Sequence, residues 1–81
     1  MFTLENCPYC KKALRFIDEL YKTDERYRSV PLEKIDENRN PEIAAKYDYY
    51  YVPTFYVGDK KEHEGASTLN AIKCVFDKAL V

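Results

Sequence analysis

The sequence predicts an α/β domain with one four-stranded mixed sheet flanked by three helices, in the order β-α-β-α-β-β-α. Apolar residues recur at helical spacing after Pro8 and again after Ser67, and a proline-led helix start lies between them at Asn40-Pro41. A two-residue Gly58-Asp59 turn joins two strand-like runs. Because the first half suits a parallel strand pair with a crossover helix and the second half suits a hairpin followed by a helix, we expect residues 1–81 to form a single domain.

The first strand and helix are marked by local residue chemistry. Phe2-Thr3-Leu4 is short and extended, and Cys7 precedes Pro8, which suits the first helical position because its missing N–H needs no partner there. The residues expected on the buried face of this helix are Cys10, Ala13, Leu14, Ile17, Leu20 and Tyr21.

The middle of the chain predicts an edge strand and a short helix. Residues 26–35 read as extended, with Val30 and Leu32 on one face and Pro31 interrupting the hydrogen-bond ladder. Asn40-Pro41 then predicts a short helix, whose apolar residues are Ile43, Ala44 and Tyr47.

The last third predicts a hairpin and a helix. Residues 54–57 form one strand, Gly58-Asp59 the turn and residues 60–63 the return strand. Ser67 is the expected N-cap of the final helix. The residues expected to share its apolar face are Leu69, Ile72, Val75, Phe76, Ala79 and Leu80, with Cys74 on the opposite side.

Charge and hydropathy narrow the class of partner. With 13 basic and 14 acidic residues the net charge is −1, so the chain lacks the basic surface that binds nucleic acid or anionic membranes. No apolar run is long enough to span a membrane, and residues 1–5 do not resemble a signal peptide. We therefore expect a cytoplasmic monomer that contacts neither nucleic acid nor membrane.

Cys7-Pro8-Tyr9-Cys10 is the motif that carries chemistry. Two cysteines at this spacing suit a redox dithiol, half of a zinc site or a structural disulfide. A structural zinc needs four ligands, and only Cys74 and His63 remain, without a second paired motif. No metal site is therefore predicted. Beside a βαβ pattern in a cytosolic protein, the motif favours redox chemistry.

With this motif after the first strand and Val52-Pro53 before the third, the whole chain resembles the thioredoxin fold, and more narrowly a small glutaredoxin. The resemblance implies a thiol–disulfide oxidoreductase and electron carrier that reduces protein or glutathione mixed disulfides. It implies no tightly bound cofactor, with glutathione as a possible co-substrate. It also implies a cis peptide bond between Val52 and Pro53.

The resemblance assigns two roles to the motif. Cys7 is the expected nucleophile, because free N–H groups at the helix N-terminus and the nearby Lys11 and Lys12 favour a thiolate. Cys10 is the expected resolving thiol, shielded and with a raised pKa. The residues expected to bind substrate or glutathione are Tyr9, Tyr51, Val52, Pro53, Ala66 and Ser67.

Three positions depart from the glutaredoxin pattern: Leu4, Ala66 and Ser67. Leu4 stands where many glutaredoxins carry Lys, and Gly65-Ala66-Ser67 stands where many carry two glycines and an acidic residue. The Gly65-Ala66 pair is more similar to thioredoxin. We therefore expect weakened glutathione binding, disulfide-containing proteins as partners, and either glutathione or a protein disulfide reductase as electron donor.

Three further alternatives stay open at this point. The chain could be a thioredoxin-like reductant served by a protein reductase. It could instead be a non-catalytic module that holds an iron–sulfur cluster through Cys7, although Pro8 is atypical of that class. Tyr47, Tyr49, Tyr50 and Tyr51 could form an aromatic rim that grips a partner, or could pack within the fold.

Overall fold

The computed structural model describes residues 1–80, which form one mixed sheet with the strand order β2-β1-β3-β4. The strands are β1 (Phe2–Thr3), β2 (Ile35–Asp36), β3 (Thr54–Val57) and β4 (Lys60–Glu64). The helices are α1 (Pro8–Thr23), α2 (Pro41–Ala44) and α3 (Leu69–Leu80). β1 is parallel to β2 and antiparallel to β3, which pairs antiparallel with β4. The predicted fold class and the predicted element order are thereby confirmed.

Helix α1 packs through the face that its apolar spacing predicts. Cys7 is the N-cap and Pro8 the first helical residue. The buried residues of α1 are Cys10, Ala13, Ile17 and Leu20. Of these, Ala13, Ile17 and Leu20 lie in one apolar core with Phe55 of β3 and Ile72 of α3. None of the helices within residues 1–80 is long and apolar enough to cross a membrane.

The prediction of an extended segment over residues 26–35 is wrong for most of its length. Glu25–Ser29 form a 3₁₀ helix, and strand β2 begins only at Ile35. The Asp24 carboxylate caps the 3₁₀ helix by accepting from the backbone N–H of Arg26 at 2.9 Å, a local bond that competes with a strand ladder. Tyr27 is buried there, and its hydroxyl donates to Asp77 of α3 at 2.5 Å. The predicted edge position is correct, since β2 borders the sheet.

The predicted cap of the last helix is also wrong by one residue. The hydroxyl of Thr68, not that of Ser67, accepts from the backbone N–H of Ala71 at 3.1 Å. A cap side chain accepts from the second or third helical N–H, and Ala71 is the third residue of α3. Thr68 therefore satisfies this helix start.

The hairpin between β3 and β4 has the predicted turn and an additional bulge. Gly58 has φ +62°, a value that glycine adopts without steric cost at the first position of such a turn. The register between the strands shifts between Phe55 and Tyr56, which leaves one extra residue on β4. Glu62 lies at this shift, and its carboxylate binds Lys78 of α3 at 2.5 Å. The bulge therefore lies at an ion pair that connects the sheet to helix α3.

The strand register brings three chain segments to one end of the sheet. Phe2 lies opposite Thr54 in an antiparallel pair, so extending that register by two residues places Leu4 opposite Val52. Thr54 also lies opposite Glu64, the last residue of β4. The turn that leads to Cys7 and the segments flanking β3 and β4 therefore share this end of the sheet.

Candidate active site

A tight turn delivers Cys7 to the start of α1. The backbone N–H of Cys7 donates to the carbonyl of Leu4 at 3.3 Å, and Asn6 has φ +65°. This combination is typical of a type II turn, which needs a residue that tolerates positive φ at its third position. Cys7 itself is half-buried, and its side chain makes no capping hydrogen bond. Its sulfur is thus free to meet a partner at the helix N-terminus.

Cys10 lies one turn further along α1 in a different environment. The residue is 3% exposed, and burial raises the pKa of its thiol to about 11. A hydrogen bond from the Leu4 backbone opposes this shift, whereas a hydrogen bond to Cys7 raises the pKa further. The proton therefore stays on Cys10, and its thiol lies within hydrogen-bonding reach of Cys7.

The bond between Val52 and Pro53 is cis, as the family resemblance implies. Pro53 is buried, and its carbonyl accepts from the backbone N–H of Gly65 at 2.9 Å. Neither the N–H nor the C=O of Val52 has a hydrogen-bond partner among residues 1–80. Val52 therefore presents an unpaired backbone at the end of the sheet where Cys7 lies.

The four clustered tyrosines divide into two pairs. Tyr47 and Tyr49 pack on Phe2 with ring centroids 4.8 Å away in each case, so they belong to the fold. The Tyr49 hydroxyl also donates to Glu37 at 2.7 Å. Tyr50 and Tyr51 are instead 85% and 70% exposed. The packing interpretation thus fits the first pair, and only the second pair has the exposure that an aromatic rim needs.

The remaining predicted binding residues differ in how they face solvent. Tyr9 is 58% exposed beside Cys7, and Ala66 is exposed, with its carbonyl 3.0 Å from Nε2 of His63. The hydroxyl of Ser67 is buried and has no hydrogen-bond partner among residues 1–80. Ser67 therefore directs its hydroxyl inward instead of towards a ligand at the surface.

Glu64 is a residue that the sequence analysis did not select. Its carboxylate accepts from the backbone N–H groups of Tyr50 at 2.5 Å and Tyr51 at 2.9 Å, and from Lys61 at 2.7 Å. These bonds lower the pKa of Glu64 to about 2, so the group is charged under ordinary conditions. A single acidic residue at a strand end gives no sequence signal for such a contact.

The three thiols are free, and Cys74 is exposed on α3 away from the motif. Within the described part of the chain, no cluster of three or more His, Cys, Asp or Glu side chains is placed to hold a metal ion. Cys7 and Cys10 are thus the two neighbouring sulfurs of this site.

Comparison with known proteins identifies relatives of this chain. A family model for the thioredoxin domain matches residues 3–77. A protein named thioredoxin from Methanocaldococcus jannaschii is 32% identical over 80 residues, which cover 99% of this chain and 92% of that protein. No solved structure gives a significant match. Both matches name thioredoxin, so the glutaredoxin subtype is not confirmed.

Proposed function

The chain belongs to the thioredoxin domain family, a membership that supports thiol–disulfide oxidoreductase activity in general, and we propose that it reduces protein disulfides through Cys7 and Cys10. The observation that carries the proposal is the contrast between the two thiols. Cys7 is accessible at a helix N-terminus, whereas Cys10 is 3% exposed and retains its proton. The Cys7 sulfur can therefore react with a substrate first, while the Cys10 thiol stays protonated and shielded from solvent until the second step.

In the first step, the Cys7 thiolate attacks one sulfur of the substrate disulfide. A mixed disulfide forms between Cys7 and the substrate, and the second substrate sulfur leaves as a thiolate. The attack takes place at the N-terminus of α1, where the first backbone N–H groups have no partner within the helix and the helix dipole favours an anion.

In the second step, Cys10 loses its proton and attacks the sulfur of Cys7. The mixed disulfide breaks, a Cys7–Cys10 disulfide forms and the substrate leaves as a second thiolate, so two electrons pass from the dithiol to the substrate. Two of the causes that raise the pKa of Cys10 arise from Cys7. In the mixed disulfide Cys7 can no longer be charged, so its charge no longer raises the pKa of Cys10, whereas burial still does.

The substrate backbone would pair with Val52. An extended segment can bind to unpaired backbone at the end of a strand through main-chain hydrogen bonds, and the N–H and C=O of Val52 supply one donor and one acceptor. Tyr9, within the cysteine motif, and Tyr51, next to Val52 in the sequence, are both exposed. The site would thus hold the chain on either side of a substrate cysteine.

We assign the electron donor to a protein disulfide reductase, as for a thioredoxin. Leu4 supplies no cation for a glutathione carboxylate, and the Ser67 hydroxyl is buried. A lost charge-assisted hydrogen bond costs about 1.5–3 kcal/mol, and less at an exposed site. Glutathione is kept as a second candidate because Cys7-Pro8-Tyr9-Cys10 is the glutaredoxin form of the motif.

Two coupled assays test this assignment. In both assays insulin is the disulfide substrate. The electron source is thioredoxin reductase in one assay and glutathione with glutathione reductase in the other. We expect faster turnover with thioredoxin reductase. Faster turnover with glutathione would identify the protein as a glutaredoxin in function. If chemically pre-reduced protein fails to reduce insulin, the proposed function itself is wrong.

A further inference from the structure

We propose that Glu64 is a positioning residue for protein substrates: its carboxylate fixes the backbone of Tyr50 and Tyr51 so that both exposed rings are held beside Val52. This inference rests on the proposed function and deepens it, because it names a group that distinguishes a protein disulfide from a small one. Glu64 touches no substrate atom and would act through the two tyrosines.

The Glu64 carboxylate forms hydrogen bonds with the loop of residues 45–53, which connects α2 to β3. One oxygen, Oε2, accepts from both consecutive N–H groups, at 2.5 Å from Tyr50 and 2.9 Å from Tyr51, while Oε1 accepts from Lys61. No other side chain within residues 1–80 accepts from these two N–H groups. The Glu64 side chain is 19% exposed, so solvent competes little for its oxygens. A charged acceptor forms stronger hydrogen bonds than a neutral one.

Other contacts secure the two ends of the same loop. The carbonyl of Asp48 accepts from the Tyr56 hydroxyl at 2.7 Å. The carbonyl of Pro53 accepts from the Gly65 N–H at 2.9 Å. The centre of the loop, where the exposed tyrosines lie, is therefore the part whose N–H groups depend on Glu64.

Holding these two residues has an energetic consequence for binding. Tyr50 and Tyr51 are 85% and 70% exposed, and tyrosine is enriched among the residues that dominate protein interfaces. Ordering a flexible loop on binding reduces affinity, and a loop that is already ordered avoids this cost. Glu64 would thus strengthen the binding of a protein substrate without altering the chemistry at Cys7.

A matched pair of substitutions separates this role from a general effect of lost charge. Glu64→Gln keeps the shape of the side chain but removes its charge and one of its acceptor oxygens. Glu62→Gln makes the same chemical change two residues earlier on β4, where the carboxylate binds Lys78 and Lys60 and no part of the loop. Both proteins are compared with the unsubstituted protein on insulin and on a small aromatic disulfide.

For Glu64→Gln we expect KM for insulin to rise about fivefold, with kcat and the rate on the small disulfide unchanged within about twofold, which is the pattern of lost binding. Hydrogen exchange at the Tyr50 and Tyr51 amides should accelerate in the same variant. Glu62→Gln should alter neither KM for insulin nor hydrogen exchange at these two amides. The inference would be overturned if Glu64→Gln changed neither KM for insulin nor amide hydrogen exchange. It would also be overturned if the variant lost activity equally on insulin and on the small disulfide. An unsubstituted protein that reduces neither substrate would overturn the proposed function instead.

Discussion

Cys10 lies one helical turn behind Cys7, with its thiol in hydrogen-bonding reach of the Cys7 sulfur and only 3% of its surface exposed. Burial raises the pKa of Cys10 to about 11, and the contact with Cys7 adds to this increase. In the proposed reaction the more accessible sulfur attacks the substrate first and the buried sulfur attacks second. The different environments of the two sulfurs are the basis of that proposed order.

The first prediction concerns alkylation of these thiols. In a Cys74→Ser background, iodoacetamide near pH 7 should label Cys7 and leave Cys10 unlabelled, because the thiolate is the reactive form. The labelling rate of Cys10 should rise as the pH approaches its pKa of about 11. Peptide mass spectrometry over a pH series measures both rates. Equal labelling of the two cysteines at neutral pH would contradict the assignment.

The second prediction concerns the turn before Cys7. Asn6 is exposed and has φ +65°, which a residue with a Cβ adopts at a cost of roughly 1–2 kcal/mol unless, like asparagine, it can bond locally. Asn6→Ala should therefore lower the free energy of unfolding by about 1 kcal/mol, while Asn6→Gly should cost no more than a few tenths. Urea unfolding of both variants provides the measurement. Equal stability of the alanine and glycine variants would show that the positive φ is not what selects this residue.

The third prediction separates two neighbouring hydroxyls at the start of α3. Thr68→Ala should lower the free energy of unfolding by about 1 kcal/mol, since it removes the helix cap. Ser67→Ala should cost nothing or stabilise the protein, since it removes a buried hydroxyl that has no partner in the described chain. Thermal unfolding of the two variants compares them directly. The reverse order of stabilities would restore Ser67 as the cap.

The fourth prediction concerns acid stability. The folded-state pKa of Glu64 is about 2, against an ordinary value of 4.5, so the unfolded chain binds the proton more readily between these values. The contribution of Glu64 is therefore present above pH 4.5 and is lost as the pH falls towards 2. The stability difference between the unsubstituted protein and Glu64→Gln should shrink over that window in urea titrations. If the stability difference between the two proteins stays constant with pH, the charge of the Glu64 carboxylate does not contribute to folding stability.

The fold was largely predictable because its signals are local. Pro8 after Cys7, the helical spacing in α1 and α3, and Gly58-Asp59 each specify a feature within a few residues. Residues 26–29 were mispredicted because a carboxylate cap at Asp24 and the long-range bond from Tyr27 to Asp77 favour a 3₁₀ helix there. Neither contact is visible in a pattern of apolar residues.

The candidate site was predictable only where residue type carries the chemistry. Cys7, Cys10 and Pro53 belong to recognisable motifs, whereas Glu64 acts through backbone N–H groups 13 and 14 positions away in sequence. The difference between Tyr49 and Tyr50 likewise depends on which ring meets Phe2. Such distinctions follow from the strand register, which the sequence does not show.

The most direct test of the account uses a Cys10→Ser, Cys74→Ser protein, in which the mixed disulfide cannot be resolved. After incubation with insulin, peptide mass spectrometry should find an insulin cysteine linked to Cys7, in about one equivalent per protein. The matched Cys7→Ser, Cys74→Ser protein should form no such adduct. A stable adduct on Cys10 in the second protein, with none on Cys7 in the first, would contradict the central claim that Cys7 is the nucleophile.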